Sequence, residues 1–217
     1  GNPVDMNTIQ AAIFVASILL PGLMCLIGMG LALESAILAV PLGAGTIYVT
    51  GNWLGLLGIP YMPAIAVLSL ASAVVLIALK GRNLFGNAAL SFDALVCGIG
   101  GVFLVLVWRN ASGSFGELLP NHDAMYHSYV IRNILETGSL RVDDALRLFP
   151  TNAGTAANFY PLGLHGLIAF GSRISGASIN AAMNASTILV GLGMFPWTMY
   201  TWTKRLIGEL PGLAIST

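Results

Sequence analysis

The sequence predicts an all-α membrane protein: a polytopic transmembrane helical bundle of about five spans, with an external loop that contains amphipathic or interfacial helices. Of the 217 residues, 56% are hydrophobic and 8% are charged, whereas soluble domains carry about 25% charged residues. A spanning helix needs about 20 mostly apolar residues. The stretches that qualify are approximately Ile9–Gly30, Leu31–Thr50, Tyr61–Leu79, Ala88–Trp108 and Ile179–Tyr200.

The basic residues orient these spans, because short cytoplasmic loops retain lysine and arginine. Lys80 and Arg82 mark one cytoplasmic loop, and Lys204 and Arg205 mark another. With five spans, residues 109–178 are then extracytoplasmic. We therefore expect a multi-pass protein of the plasma membrane that contacts membrane lipids.

Charge and cysteine content exclude two classes of function. Nine basic and nine acidic residues give a formal net charge of zero, which leaves no broad basic face for nucleic acid. Cys25 and Cys97 lie in apolar runs without a neighbouring cysteine or histidine. Neither a disulfide framework nor a cysteine metal site is expected.

The external segment carries the chemistry-bearing residues, since half of all charged residues fall between Arg109 and Arg147. A helix of about four turns is predicted there, with Gly138 as its C-terminal stop. At 100° per residue, Asp123 and His127 share a face with apolar residues that must pack on the bundle. We therefore expect Asp123 to lie in a cleft and not in bulk solvent.

Asp123 has two interpretations at this point. A carboxylate at a helix start contributes about 0.3–1 kcal/mol through the helix dipole without any further role. In a cleft it could instead act as a base or a metal ligand. His122, Asp123 and His127 could together hold a divalent metal, but they lack the HExxH spacing. A lone histidine such as His127 is more often a hydrogen-bonded packing residue than a metal ligand.

A second helix is predicted in the apolar run that follows Tyr160 and Pro161. The run is about 13 residues long, which is too short to span a bilayer. It predicts an interfacial or re-entrant helix on the outer side, with Pro161 at the first helical position. His165 then faces either the cavity that Asp123 borders or the membrane surface.

Three ordered motifs carry a resemblance to a known family: His122-Asp123-Ala-Met-Tyr-His127, Ile-Leu-Glu-Thr-Gly138 and Tyr160-Pro161-Leu-Gly-Leu-His165-Gly. Together they resemble the first catalytic module of GT-C type glycosyltransferases, especially bacterial and actinobacterial members. These polytopic enzymes take a sugar from a polyprenyl-phosphate carrier on the outer face of the membrane. The resemblance covers about Ala88 to Arg205 and implies a catalytic-type module at 88–205. The predicted spans before it make 1–87 a region of N-terminal transmembrane helices, and 206–217 is a cytoplasmic tail or a truncation point.

The resemblance also implies roles for individual residues. Asp123 matches the acidic residue that deprotonates the acceptor hydroxyl or helps to hold a divalent cation such as Mg²⁺ or Mn²⁺, and His127 would be a second metal ligand. The donor would be a polyprenyl-phosphate sugar, and the acceptor a glycan, lipid or protein of the cell envelope. The residues implied to bind substrate are His122, His127, Tyr160, His165 and Arg109.

Two other classes of function compete with this one. A non-enzymatic lipid-binding or assembly subunit would use the charged loop to dock a partner. An ion-coupled transporter needs charged groups near the bilayer centre and paired broken helices, and the sequence offers little of either. GT-C enzymes usually carry more spans and often a soluble C-terminal domain, so a complete donor cavity is not expected in a chain of this length.

Overall fold

The computed structural model describes residues 6–28, 39–67, 69–71, 74, 106, 110, 122–146, 162–195 and 198–199. Every regular element in these ranges is helical, which confirms the all-α prediction. The helices are α1 (Thr8–Gly28), α2 (Ala39–Leu56), α3 (Tyr61–Ala71), α4 (His122–Thr137), α5 (Val142–Ala145), α6 (Gly163–Ser175) and α7 (Ile179–Thr187). A π-helical segment, Ile188–Met194, continues α7 directly.

The predicted spans agree with these helices at several ends. The first, third and fifth spans begin within one residue of α1, α3 and α7. The second span was predicted to end at Thr50, but α2 continues to Leu56. Its stop is Gly58, which adopts the left-handed conformation at φ +68°. The fourth predicted span lies outside the described residues except at Leu106.

One described helix is long and apolar enough to cross a membrane. It is α1, in which Thr8–Leu26 has a mean hydropathy of 2.2 over 19 residues. The helix crosses α2 at close range, since a Cβ atom at Gly22 would overlap the backbone carbonyl of Ala39. The described ranges therefore contain one candidate span, and the five-span arrangement and its orientation remain predictions.

The centre of the described residues is α6, which packs against α1, α2, α4 and α7. Leu167, Ala169 and Phe170 are almost completely buried. Gly166 allows a close approach, because a Cβ atom there would lie 2.8 Å from Cδ2 of Leu140 and 3.0 Å from Cγ2 of Ile47. This packing buries α6 inside the described fold, and its predicted interfacial or re-entrant placement in the membrane stays a prediction.

The predicted start of α6 needs a correction. The N-cap residue is Leu162, so Gly163 and not Pro161 is the first helical residue. Leu162 makes no side-chain hydrogen bond to the helix and is completely buried. Burial of Leu162 in the core therefore anchors the start of the helix.

The amphipathic helix that the sequence predicts between Arg109 and Arg147 is confirmed as α4. Val130, Ile131 and Ile134 on its inner face are completely buried. Gly138 ends the helix as predicted: its φ is +66°, and its N–H donates to the Ile134 carbonyl at 2.9 Å. Glycine adopts this left-handed conformation with little cost in free energy.

Candidate functional site

Two histidines that are far apart in the sequence meet between α4 and α6. Nδ1 of His127 and Nε2 of His165 are 2.8 Å apart, and the ring centroids are separated by 4.9 Å. One of the two nitrogens donates its proton to the other, so the contact requires at least one ring to be unprotonated at that atom. His165 is buried, and His127 is half-buried.

The pair belongs to a parallel packing of α4 and α6. His127 and His165 are 38 positions apart in the sequence. A second contact has the same offset: Nη2 of Arg173 donates a hydrogen bond to the Leu135 carbonyl at 2.6 Å. An equal offset about two turns further along means that the helices run in the same direction and in register. The positive ends of both helix dipoles therefore lie at the same end, close to the histidines.

Contacts to the next residue, Gly166, hold the backbone of His165 in position. The completely buried Tyr61 donates a hydrogen bond from its hydroxyl to the Gly166 carbonyl at 3.0 Å. Leu140 packs against the other side of Gly166. The backbone beside His165 is thus held both by α3 and by the segment that leads into α5.

A cavity of about 360 Å³ adjoins the histidine pair. The remaining lining is mostly apolar, with two hydroxyl groups from Ser186 and Thr187. Each hydroxyl donates to a carbonyl one turn back in its own helix, which leaves the oxygen able to accept a hydrogen bond. The residues that line this cavity, the histidine cavity, are His127, Ile131, Leu164, His165, Ile168, Met183, Ser186, Thr187, Val190 and Gly191.

The π-helical segment forms part of the cavity wall through Val190 and Gly191. π-Helical turns are rare and occur frequently at functional sites. A Cβ atom at Gly191 would meet nothing within 4 Å, so the wall is open at this point. No sequence signal predicted this segment, because its residues equally suit an ordinary α-helical span.

Asp123 occupies a different environment from the one predicted. It lies in the first turn of α4, as expected, but its side chain is exposed and does not line the histidine cavity. The expectation of a desolvated carboxylate in a cleft is therefore wrong. The buried part of the face begins one turn later, at His127, because the helix start projects beyond its contact with α6.

The other predicted substrate-binding residues are placed less fully. His122 is the first residue of α4, while Arg109 and Tyr160 lie outside the described residues. Within the described ranges, no group of three or more histidine, cysteine, aspartate or glutamate side chains is positioned to hold a metal ion. Metal binding by Asp123 and His127 stays a prediction, and it requires at least one further group that coordinates the metal.

Comparison with known proteins gives a family without an assigned activity. The chain matches no curated protein and no solved structure. Residues 15–217, nearly the whole chain, match the family of unknown function DUF6541. This match includes His127, His165 and all of α2 to α7, and the chain therefore belongs to the DUF6541 family.

Proposed function

We propose that this chain is a module of a GT-C type glycosyltransferase, which transfers a sugar from a polyprenyl-phosphate donor to a cell-envelope acceptor on the extracytoplasmic face. One observation carries the proposal. His127 and His165, which the family resemblance implies to bind substrate and which are candidates to contact the leaving phosphate, lie 2.8 Å apart beside the histidine cavity.

The chemistry of this end of the two helices suits a phosphate. Parallel α4 and α6 direct the positive ends of their dipoles to the same side, and helix N-termini favour anions. A histidine pair that gains one proton becomes a cationic donor to phosphate oxygens. The mostly apolar lining of the cavity suits the prenyl chain that is attached to that phosphate.

The proposed reaction is a displacement at the anomeric carbon of the donor sugar. The acceptor hydroxyl oxygen forms a bond to that carbon, the bond from the carbon to the phosphate oxygen breaks, and polyprenyl phosphate leaves. Asp123 accepts the proton of the hydroxyl. Its exposed position at the start of α4 suits an acceptor that arrives from the aqueous side, while the donor occupies the cavity.

The outer surface of α2 and α3 supports the membrane setting. Trp53 and Leu56 on α2, and Val67 and Leu70 on α3, are each about two-thirds exposed. Large exposed apolar patches mark surfaces that contact lipid or protein. We infer that these faces contact lipid in a multi-pass arrangement.

A second candidate function uses the same cavity without chemistry. The apolar lining and the exposure of Asp123 equally suit a subunit that binds a lipid phosphate and presents it to a partner. In that case the carboxylate of Asp123 has no role in turnover.

Sugar transfer separates these two functions. The full chain in native-like membranes would receive a panel of radiolabelled polyprenyl-phosphate sugars together with cell-envelope acceptors. Wild type would be compared with Asp123→Asn, and with Asp143→Asn as the matched control, since Asp143 is an exposed carboxylate on α5. We expect Asp123→Asn to abolish transfer, Asp143→Asn to leave it unchanged, and His165→Gln to weaken donor binding.

Each outcome of this experiment supports a different role for the chain or for Asp123. Transfer that survives Asp123→Asn removes this carboxylate from the mechanism. Donor binding without consumption, in wild type and variants alike, favours the lipid-binding function. Loss of transfer on addition of a divalent chelator would show that a metal ion takes part in the reaction, as the predicted ligands Asp123 and His127 require, whereas resistance to the chelator favours a simple base.

A further inference from the structure

A second cavity of about 360 Å³ lies between α4 and the beginning of α7. On α4 it uses a different face from the histidine cavity, since Tyr129 and Arg132 are at least about 100° around the helix from His127 and Ile131. The two cavities therefore adjoin different faces of α4. The second cavity is lined by Met125, Ser128, Tyr129, Arg132, Ile179 and Asn180.

The chemistry of this lining differs from that of the histidine cavity. Tyr129 offers an aromatic ring, and the residue is 43% exposed. Asn180 offers an amide, and Ser128 a hydroxyl that donates to the Met125 carbonyl. An aromatic face beside hydrogen-bonding groups suits a ligand with apolar C–H surfaces and many hydroxyls, which describes a saccharide.

The charge of Arg132 is balanced within the protein. Its Nε donates to Oε1 of Glu136 at 3.0 Å. The ion pair is on the surface, and it places guanidinium donors beside a carboxylate that accepts. A sugar hydroxyl both donates and accepts, so the pair complements it, whereas an anionic ligand would have to compete with Glu136. The cavity is thus suited to a neutral ligand.

We propose that this second cavity binds a neutral saccharide segment of the acceptor. The inference rests on the proposed function, because a transferase needs an acceptor site separate from its donor site. Tyr129 lies about 9 Å along the helix axis from Asp123, at about 1.5 Å per residue. A glycan chain held against Tyr129 can therefore extend to the start of α4, where Asp123 would meet its reacting hydroxyl.

A binding experiment that needs no sugar donor tests this inference. The array would carry neutral hexose and pentose oligosaccharides, together with sulfated oligosaccharides for comparison. The full chain would be applied in nanodiscs. We expect retention on neutral oligosaccharides, weakened about tenfold by Tyr129→Ala because the ring contact is lost. Tyr129→Phe retains the ring and most of the affinity. Arg132→Gln weakens retention, while Arg141→Gln, a change at another exposed arginine, does not.

The variants also separate this inference from the proposed function. Tyr129→Ala should leave donor hydrolysis by water unchanged while it raises the KM for the acceptor. Absence of retention on every neutral oligosaccharide, retention only on sulfated ones, or equal retention by wild type and Tyr129→Ala would each overturn the inference. Retention on neutral oligosaccharides by a chain that consumes no donor supports the saccharide site but contradicts the transferase.

Discussion

Leu140 and Gly166 form a contact whose energy can be tested in isolation. Leu140 is completely buried, and a leucine-to-alanine change in a core costs about 2–5 kcal/mol. A Cβ atom at Gly166 would lie 2.8 Å from Cδ2 of Leu140. We expect Gly166→Ala to cost about 1–3 kcal/mol through overpacking, less the gain in helix propensity, which is about 1 kcal/mol.

The double variant carries the decisive information. The methyl group that Gly166→Ala introduces points into the space that Leu140→Ala vacates, so it fills part of the new cavity. We therefore expect the double variant to lose less free energy of unfolding than the two single variants lose in sum, and the difference should be about 1 kcal/mol or more. The gain in helix propensity is present in both backgrounds and cancels from this difference.

Reversible unfolding in mixed micelles, followed by far-ultraviolet circular dichroism, would give the four free energies of unfolding. Leu57→Ala is the matched control, because Leu57 is 71% exposed and its truncation should change stability by less than about 0.5 kcal/mol. Additivity of the two single changes to within about 0.5 kcal/mol would refute the packing described here.

Two further predictions concern helix crossing and orientation. Gly22→Ala forces a methyl group against the Ala39 carbonyl and should lower the free energy of unfolding by about 3 kcal/mol; Gly45→Ala, which meets nothing within 4 Å, should raise it by up to about 1 kcal/mol. Equal effects would contradict the close crossing. In intact cells, Asp143→Cys should react with a membrane-impermeant maleimide, since Asp143 is exposed; labelling only after permeabilisation would contradict an extracytoplasmic position.

The sequence predicted α4 well because its signals are local. The apolar spacing places Val130 and Ile134 on one face, and Gly138 supplies the left-handed stop. Both signals act over a few residues and do not depend on what packs against the helix. The end of α2 shows the limit of such signals, because Gly51 and Gly58 are both possible stops. In the structure, Gly51 instead packs against Leu140 inside the fold.

The candidate site was predicted only in part. His127 and His165 were singled out separately, but their contact depends on a pairing across 38 residues, which no local pattern specifies. The exposure of Asp123 was missed for the same reason, since periodicity gives the face of a helix but not how far along that face the contact extends. Tyr129 and the start of α7 were not connected by the sequence at all.

Parallel packing of α4 and α6 also constrains how the chain is synthesised. Parallel neighbours cannot be joined by a tight turn, because the end of α4 and the start of α6 are separated by about the length of α4. That helix has 16 residues and is about 24 Å long. A fully extended chain needs at least about seven or eight residues to cover this distance. The histidine contact therefore cannot form on the ribosome until the connecting segment and His165 have emerged. In a nascent chain that has completed only α4, the side chains of Val130 and Ile134, which are completely buried in the folded protein, still lack the contacts that α6 supplies.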